Sequence, residues 1–256
     1  VEHTFITETT GTIDIDFGGG VTSTIQYTGL EPIVDNLDSD HRVFTFTGGS
    51  ETITLSDNAV DSDDLNFIDS SLGESIVFLS PTMSLTVNAG TGEDFVDVSR
   101  LDSLASFADM TINGDEADDA ITLSGLASST TAYLNGGFGN DVFTIGTGNL
   151  DPIEGDVAIE GDGHDAMPTI DESVSVKGVS VDVSLEVGDR VVFDDSADAV
   201  GRDYFLDIDL LVRADLAASY TFETVETVEL YAGSADDEVF VMSTAAATTV
   251  VVETGV

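Results

Sequence analysis

A turn rich in glycine and aspartate recurs along this chain between two short alternating strands, and its spacing limits the fold more than any other feature. The clearest copy is NGGFGNDVFTIG at residues 135–146. The stretches that align in its frame are 85–98, 110–123, 132–145, 228–241, a degenerate 157–166 and a shorter 44–55. The last apolar residue before the turn advances by 25 residues from Val87 to Ile112 and by 22 residues from Ile112 to Leu134. This period is typical of one coil of a parallel β-solenoid.

The strands beside each turn alternate apolar and polar residues with a period of two, which indicates β-structure and disfavours helices. In the copy at 85–98, this alternation places Val87 and Val96 on one face. Stacked coils would collect such residues in interior columns, so we expect Val87, Ile112 and Leu134 to be neighbours. The same position in three copies of the repeat is occupied by Asn88, Asn113 and Asn135. This predicts a ladder of side-chain amides that are hydrogen-bonded to one another.

The fold class that follows is all-β, a right-handed parallel β-helix with 22–25 residues per coil and an inserted hairpin. We predict a single elongated β-solenoid over residues 1–256. Its predicted parts are irregular coils at 1–83, regular repeats at 84–165, an inserted hairpin at 166–190 and resumed repeats at 191–256.

The hairpin is predicted from SVSVKGVSVDVSLEVG at 173–188, which alternates on both sides of Lys177 and Gly178.

A second sequence similarity, over a longer spacing, relates residues 26–33 to residues 221–228, which lie 195 positions later. Residues 250–255 resemble the start of another coil. A solenoid end requires a polar cap, and none is visible, so we expect a segment of a longer array that is truncated at its C-terminal end.

Charge excludes several classes of partner. Fifty acidic residues oppose six basic ones, for a formal net charge of −44. Nucleic acid and anionic lipid surfaces would be repelled, and no apolar run is long enough for a transmembrane helix. The expected partners are divalent cations, adjacent repeats of the same chain, or head-to-tail copies of it. The absence of cysteine excludes disulfides and thiolate metal sites.

The aspartates that close the turns are candidate metal ligands, namely Asp94, Asp119, Asp141 and Asp237. Adjacent strands lie about 4.8 Å apart, so stacked carboxylates would repel one another by about 3–4 kcal/mol at an effective dielectric constant of 20. Bound calcium, raised pKa values or backbone N–H donors would relieve this repulsion. The alternative to a metal site is that each aspartate simply closes its turn by accepting backbone N–H groups.

Residues 136–144, GGFGNDVFT, resemble the calcium-binding nonapeptide G-G-x-G-x-D-x-U-x of RTX repeats in secreted bacterial proteins. The wider pattern is similar to repeat modules of giant bacterial surface or secreted proteins of adhesin-like type. The resemblance implies calcium ligands from the carbonyls of Gly137 and Gly139 and from Asp141. Only this copy keeps every glycine, because Ala89, Ala117 and Ala235 replace glycines elsewhere.

The resemblance and the composition together predict a structural module of an extracellular bacterial stalk, fibre or adhesin, stabilised by calcium. One alternative is a self-assembling subunit of an extracellular filament. Another is a carbohydrate-active β-helix enzyme, a lyase or glycosidase, because such folds use paired carboxylates. Acidic pairs such as Asp194 and Asp195 are too common in this chain to mark a catalytic site, and the six basic residues are widely spaced. We therefore predict no enzymatic activity and assign no catalytic residue.

Overall fold

The structure is a computed structural model that describes residues 1–30, 32–163, 170–176, 179–185, 188–246 and 248–255. The regular elements of these residues are all β-strands. In the first half of the chain they are β1 (Glu2–Thr7), β2 (Thr10–Asp16), β3 (Thr22–Thr28), β4 (Ile33–Asp35), β5 (His41–Phe46), β6 (Thr52–Asp57), β7 (Leu65–Ser70), β8 (Ile76–Leu79), β9 (Ser84–Asn88), β10 (Phe95–Val98), β11 (Asp109–Glu116) and β12 (Ala120–Leu123). In the second half they are β13 (Thr131–Phe138), β14 (Val142–Ile145), β15 (Val157–Gly163), β16 (Ile170–Val176), β17 (Val179–Leu185), β18 (Arg190–Asp194), β19 (Asp203–Asp207), β20 (Leu210–Arg213), β21 (Ser219–Glu223), β22 (Thr227–Tyr231), β23 (Glu238–Val241) and β24 (Thr249–Glu253).

Two large sheets contain most of these strands. Sheet 1 has twelve strands in the order β23-β19-β20-β21-β15-β13-β11-β9-β5-β1-β2-β3, and sheet 2 has ten in the order β24-β22-β18-β14-β12-β10-β6-β7-β8-β4. Between β9 and β14 the chain alternates from one sheet to the other, and each new strand pairs in parallel with the strand before it in the same sheet. This arrangement is all-β with parallel strands in two sheets, and it is consistent with a β-solenoid.

The predicted interior column is confirmed. Ile112 pairs in register with Val87 on one side and with Leu134 on the other, and all three side chains are fully buried. Sheet 2 contains a matching column in which Val96, Ile121 and Phe143 are in register. Burying one such side chain stabilises the fold by about 1.5–3 kcal/mol, so the stacked columns hold the two sheets together.

The predicted alignment of residues 228–241 with the other copies of the repeat is wrong. Leu230 does not lie in the column of Val87 but pairs with Phe193 and Val252 in sheet 2. The strand after the turn, β23, pairs with β19 in sheet 1. This Gly/Asp turn therefore joins the sheets in the opposite sense to the turn at 135–141. Both edges of a coil require tight polar turns, so turn composition alone does not distinguish them.

Three antiparallel meanders interrupt the parallel stack, and neither alternation nor turn spacing predicted them. They are β1-β2-β3 and β19-β20-β21 in sheet 1 and β6-β7-β8 in sheet 2. After each of the two meanders in sheet 1 the chain crosses to sheet 2, as β4 after the first meander and as β22 after the second. β5 returns beside β1 with Glu2 opposite Val43, and β23 returns beside β19 with Asp203 opposite Glu238. Val43 and Glu238 are 195 residues apart, which is the same spacing that separates the similar segments 26–33 and 221–228.

The predicted hairpin strands pair with each other and not with either large sheet. β16 and β17 form a separate antiparallel sheet whose register runs from Ile170 opposite Leu185 to Val176 opposite Val179. The turn predicted at Lys177 and Gly178 lies outside the described residues. Sheet 2 resumes with β18 at Arg190, the last residue of the predicted insertion.

Candidate functional site: a buried carboxylate column

The aspartates at the ends of the glycine-rich turns form a continuous column of hydrogen bonds that runs from one turn to the next along the stacked strands. The Asp94 N–H donates to Oδ1 of Asp119 at 2.7 Å, and the Asp119 N–H donates to Oδ1 of Asp141 at 2.8 Å. The Asp141 N–H then donates to Oδ1 of Asp189 at 2.7 Å. The same type of bond extends the column at its two ends, to Glu51 and Glu226. Each carboxylate therefore binds the backbone of the neighbouring turn and fixes it in place.

Burial changes the acidity of these groups. Asp94, Asp119 and Asp141 are almost completely buried, and the Oδ2 atom of each has no hydrogen-bond partner in the described structure. Burial raises the pKa of Asp119 to about 8, because the charged form loses its water. Burial also raises the pKa of Asp94 and of Asp141 to about 6. Of the three expected ways to relieve repulsion in the column, the structure therefore contains two, which are backbone N–H donors and raised pKa values.

Glycines make this packing possible. A Cβ atom added at Gly136 would collide with the carboxylate of Asp141, so Oδ2 of Asp141 lies directly against the glycine of its own turn. Gly137 and Gly139 have φ angles of 98° and 153°, and a Cβ atom at either would collide with a backbone carbonyl of the neighbouring coil. These two glycines therefore allow successive turns to approach closely.

Each of Asp94, Asp119 and Asp141 has one oxygen, Oδ2, that accepts no hydrogen bond in the described structure and could face a metal ion, because Oδ1 accepts a backbone N–H. Calcium binds six to eight oxygen ligands. In Asp119 and Asp141, Oδ1 accepts a backbone N–H and Oδ2 is buried, with glycine packed against it at Asp141. Through Oδ1 these carboxylates accept backbone N–H groups of the neighbouring turn, and calcium binding at Asp94, Asp119 and Asp141 stays a prediction. Calcium binding through Gly137 and Gly139 carbonyls stays a prediction.

Asp237, the fourth predicted aspartate, lies outside the column. Its Oδ1 accepts the backbone N–H of Arg202 at 2.8 Å, and it is only partly buried. The reason is the reversed sense of the turn at 232–237, which places this residue before a sheet 1 strand.

The asparagine ladder predicted beside the column is confirmed. The Asn135 side-chain amide donates to Oδ1 of Asn113, and the Asn113 amide donates to Oδ1 of Asn88, each at 2.7 Å. The Asn88 amide continues the ladder to the hydroxyl of Thr45 at 3.1 Å. These half-buried amides link four strands of sheet 1, namely β5, β9, β11 and β13. They lie on the outer side of the sheet, one residue beyond the apolar column.

A second acidic group was not foreseen from the sequence. Carboxylate oxygens of Asp57, Asp61 and Asp102 lie within 4.8 Å of one another, where the loop after β6 meets the loop after β10. Asp61 is exposed, Asp57 is partly buried and Asp102 is buried. Burial raises the pKa of Asp57, and the charge of Asp102 adds to the rise. The only sequence signal was the acidic run at 57–64, which is unremarkable in so acidic a chain.

Five arginines of the described structure pair with carboxylates. Arg213 is fully enclosed, and its Nη1 donates to Oδ2 of Asp195, which is also fully enclosed, at 2.7 Å. Asp195 additionally accepts the Tyr204 hydroxyl at 2.6 Å and the Leu150 N–H at 2.9 Å. Each of the other four arginines also has at least one carboxylate partner, in the pairs Arg42–Asp35, Arg100–Glu154, Arg190–Glu229 and Arg202–Asp198.

Comparisons of this chain with protein-family models, with curated proteins and with solved structures found no match. Within the described residues, no helix has the length and apolar character needed to cross a bilayer.

Proposed function

We propose that this chain is a structural repeat module of an extracellular bacterial stalk, fibre or adhesin, built as a right-handed parallel β-solenoid with an inserted hairpin. The observation that carries the proposal is the recurrence of one large unit within the chain. The meander β1-β2-β3, the crossing to β4 and the return of β5 recur as β19-β20-β21, β22 and β23. A repeated unit whose ends present strand edges of the same direction is suited to linear extension.

The hydrogen-bonded columns support a mechanical role. The carboxylate and asparagine columns each run along the stack and connect one coil to the next. Removing one link leaves buried polar groups on both neighbours without partners, which is costly. Such ladders resist sliding and separation of coils, which is the mechanical requirement of a shaft.

The arrangement of charge argues against the enzyme alternative. A lyase that acts on acidic sugars needs cationic groups free to bind the substrate. Of the five arginines, Arg42 and Arg213 are fully buried, and Arg100, Arg190 and Arg202 each contact a carboxylate; Lys177 lies outside the described residues. The self-assembling filament remains the second candidate, because it requires the same open strand edges.

Particle length and catalysis together test this proposal. Twelve strands in sheet 1 at about 4.8 Å spacing predict a rod roughly 50–55 Å long in small-angle X-ray scattering. Incubation with neutral and acidic polysaccharides should release no reducing ends. A globular scattering profile, or turnover of any polysaccharide, would contradict the structural role.

Calcium stabilisation is the second part of the proposal, and it is assigned to surface carboxylates. Millimolar calcium should raise the melting temperature, because it relieves repulsion in a chain of net charge −44. The Asp61→Asn variant should lose part of this increase, since Asp61 is the exposed member of the three-aspartate group. The Asp141→Asn variant should retain it, since Asp141 is buried in the column.

The measurement is thermal unfolding by circular dichroism with calcium, with magnesium and with a chelator. Loss of the calcium effect in Asp141→Asn alone would instead place the ion at the glycine-rich turn. No calcium effect on the parent protein would rule out calcium stabilisation at both places.

A further inference from the structure

One surface occurs twice in this chain, once covered and once open. β3 leads into β4 at one end of both sheets, whereas β21 leads into β22 in their interior. The two segments align with a spacing of 195 residues, which matches Ile25 with Tyr220 and Leu30 with Val225. The return strands β5 and β23 keep the same spacing, so the match extends over three strands and both sheets.

The covered copy shows what fits this surface. Tyr220 and Val225 are 0% and 7% exposed, whereas their matches Ile25 and Leu30 are 47% and 49% exposed. The cover is one regular coil, which contributes β15 to sheet 1 and β18 to sheet 2. Apolar residues of that coil lie in register with β21 and β22, in the pairs Val157–Tyr220, Ile159–Phe222, Val191–Val228 and Phe193–Leu230.

We propose that the open surface of β3 and β4 docks the regular coil of a preceding copy of the same repeat unit. The unit then runs from Glu2 to Arg202, because Asp203 takes the place of Glu2 at the start of the second meander. The junction between units is the one that this chain already contains between β15 and β21 and between β18 and β22. This inference deepens the proposed function and rests on it.

The chemistry of the open edge matches that occupant. Edge strands present unpaired N–H and C=O groups, and parallel pairing with a coil such as β15 and β18 would satisfy them. β3 runs in the same direction as β21 within sheet 1, since each is linked to the parallel strands through the pairings of its sheet. In the expected register, Val157 of the docked unit lies opposite Ile25, and its Val191 lies opposite Ile33.

The test joins residues 1–202 directly to Glu2 of the full chain, which recreates the junction at the start of the second unit. The native chain has no cysteine, so Ile25→Cys in the full-chain unit introduces a single thiol. Its labelling by a soluble thiol reagent should be fast in the single chain and slower by about tenfold or more in the tandem protein, because the docked coil must open first.

A matched control is Val60→Cys in the loop after β6, a strand separated from β4 by β7 and β8; Val60 is 57% exposed and should react equally in both proteins. Leu30→Cys repeats the measurement at a second site. Equal labelling of the Ile25→Cys and Leu30→Cys variants in single and tandem proteins would overturn the docking proposal, while leaving the predicted rod length of the single chain untouched. If labelling of the single chain instead slowed as its concentration rose, the surface would be covered by a different part of a second copy. That result would also overturn the docking proposal.

Discussion

Substituting Asp119 by Asn should stabilise the protein at pH 8 and flatten its dependence on pH. The folded state raises the pKa of Asp119 to about 8, above the ordinary value of 3.8. A group with a raised pKa contributes stability that is fully present below its unfolded pKa and is lost as pH rises through the folded pKa. Melting temperature in the parent should therefore fall between pH 4 and pH 8, with contributions from Asp94 and Asp141 near pH 6.

The expected gain for Asp119→Asn at pH 7–8 is on the order of 3 kcal/mol, or roughly 5–10 °C. An amide keeps the Oδ1 acceptor for the Asp94 N–H and is neutral at every pH. The measurement is thermal unfolding from pH 4 to pH 9 in chelator. Asp97→Asn, in the strand β10 that pairs with β12 beside Asp119, removes one charge without touching the column. An equal gain from Asp97→Asn would show that general charge repulsion, rather than burial of Asp119, controls the pH profile.

Truncating Asp195 to Ala should produce one of the largest losses of stability in the chain. Asp195 and Arg213 are both fully enclosed, and Asp195 accepts hydrogen bonds from three donors. Removing one partner of a buried ion pair typically costs about 3–5 kcal/mol, because the remaining charge has no water to replace it. Chemical denaturation should show this loss as a shift of the midpoint.

Asp215→Ala is the matched control, because Asp215 binds the same arginine through Nε at 3.0 Å but its side chain is 41% exposed. Exposed ion pairs contribute about 0–1 kcal/mol. A double variant, Asp195→Leu with Arg213→Met, should recover part of the loss, since it removes both charges of the enclosed pair. Equal losses for Asp195→Ala and Asp215→Ala would show that the buried network does not fix the second meander.

The repeat and its columns follow from the sequence because they depend on local properties. Alternation with a period of two assigns each side chain to a face, and a constant spacing brings equivalent residues into register. The interior column of Val87, Ile112 and Leu134 and the ladder of Asn113 with its neighbours needed nothing more. The antiparallel pairing of β16 and β17 was also visible as alternation on both sides of a glycine.

The partners of each strand and polar group, in contrast, depend on contacts between distant parts of the chain. Asp94, Asp119 and Asp237 look equivalent in sequence, yet only the first two belong to the column, because the turn at Asp237 joins the sheets in the reverse sense. Asp195 looks like any other aspartate until β20 places Arg213 beside it. Alternation and turn composition are the same at either edge of a coil, so only the tertiary pairing of strands decided which carboxylates are buried and what neutralises them.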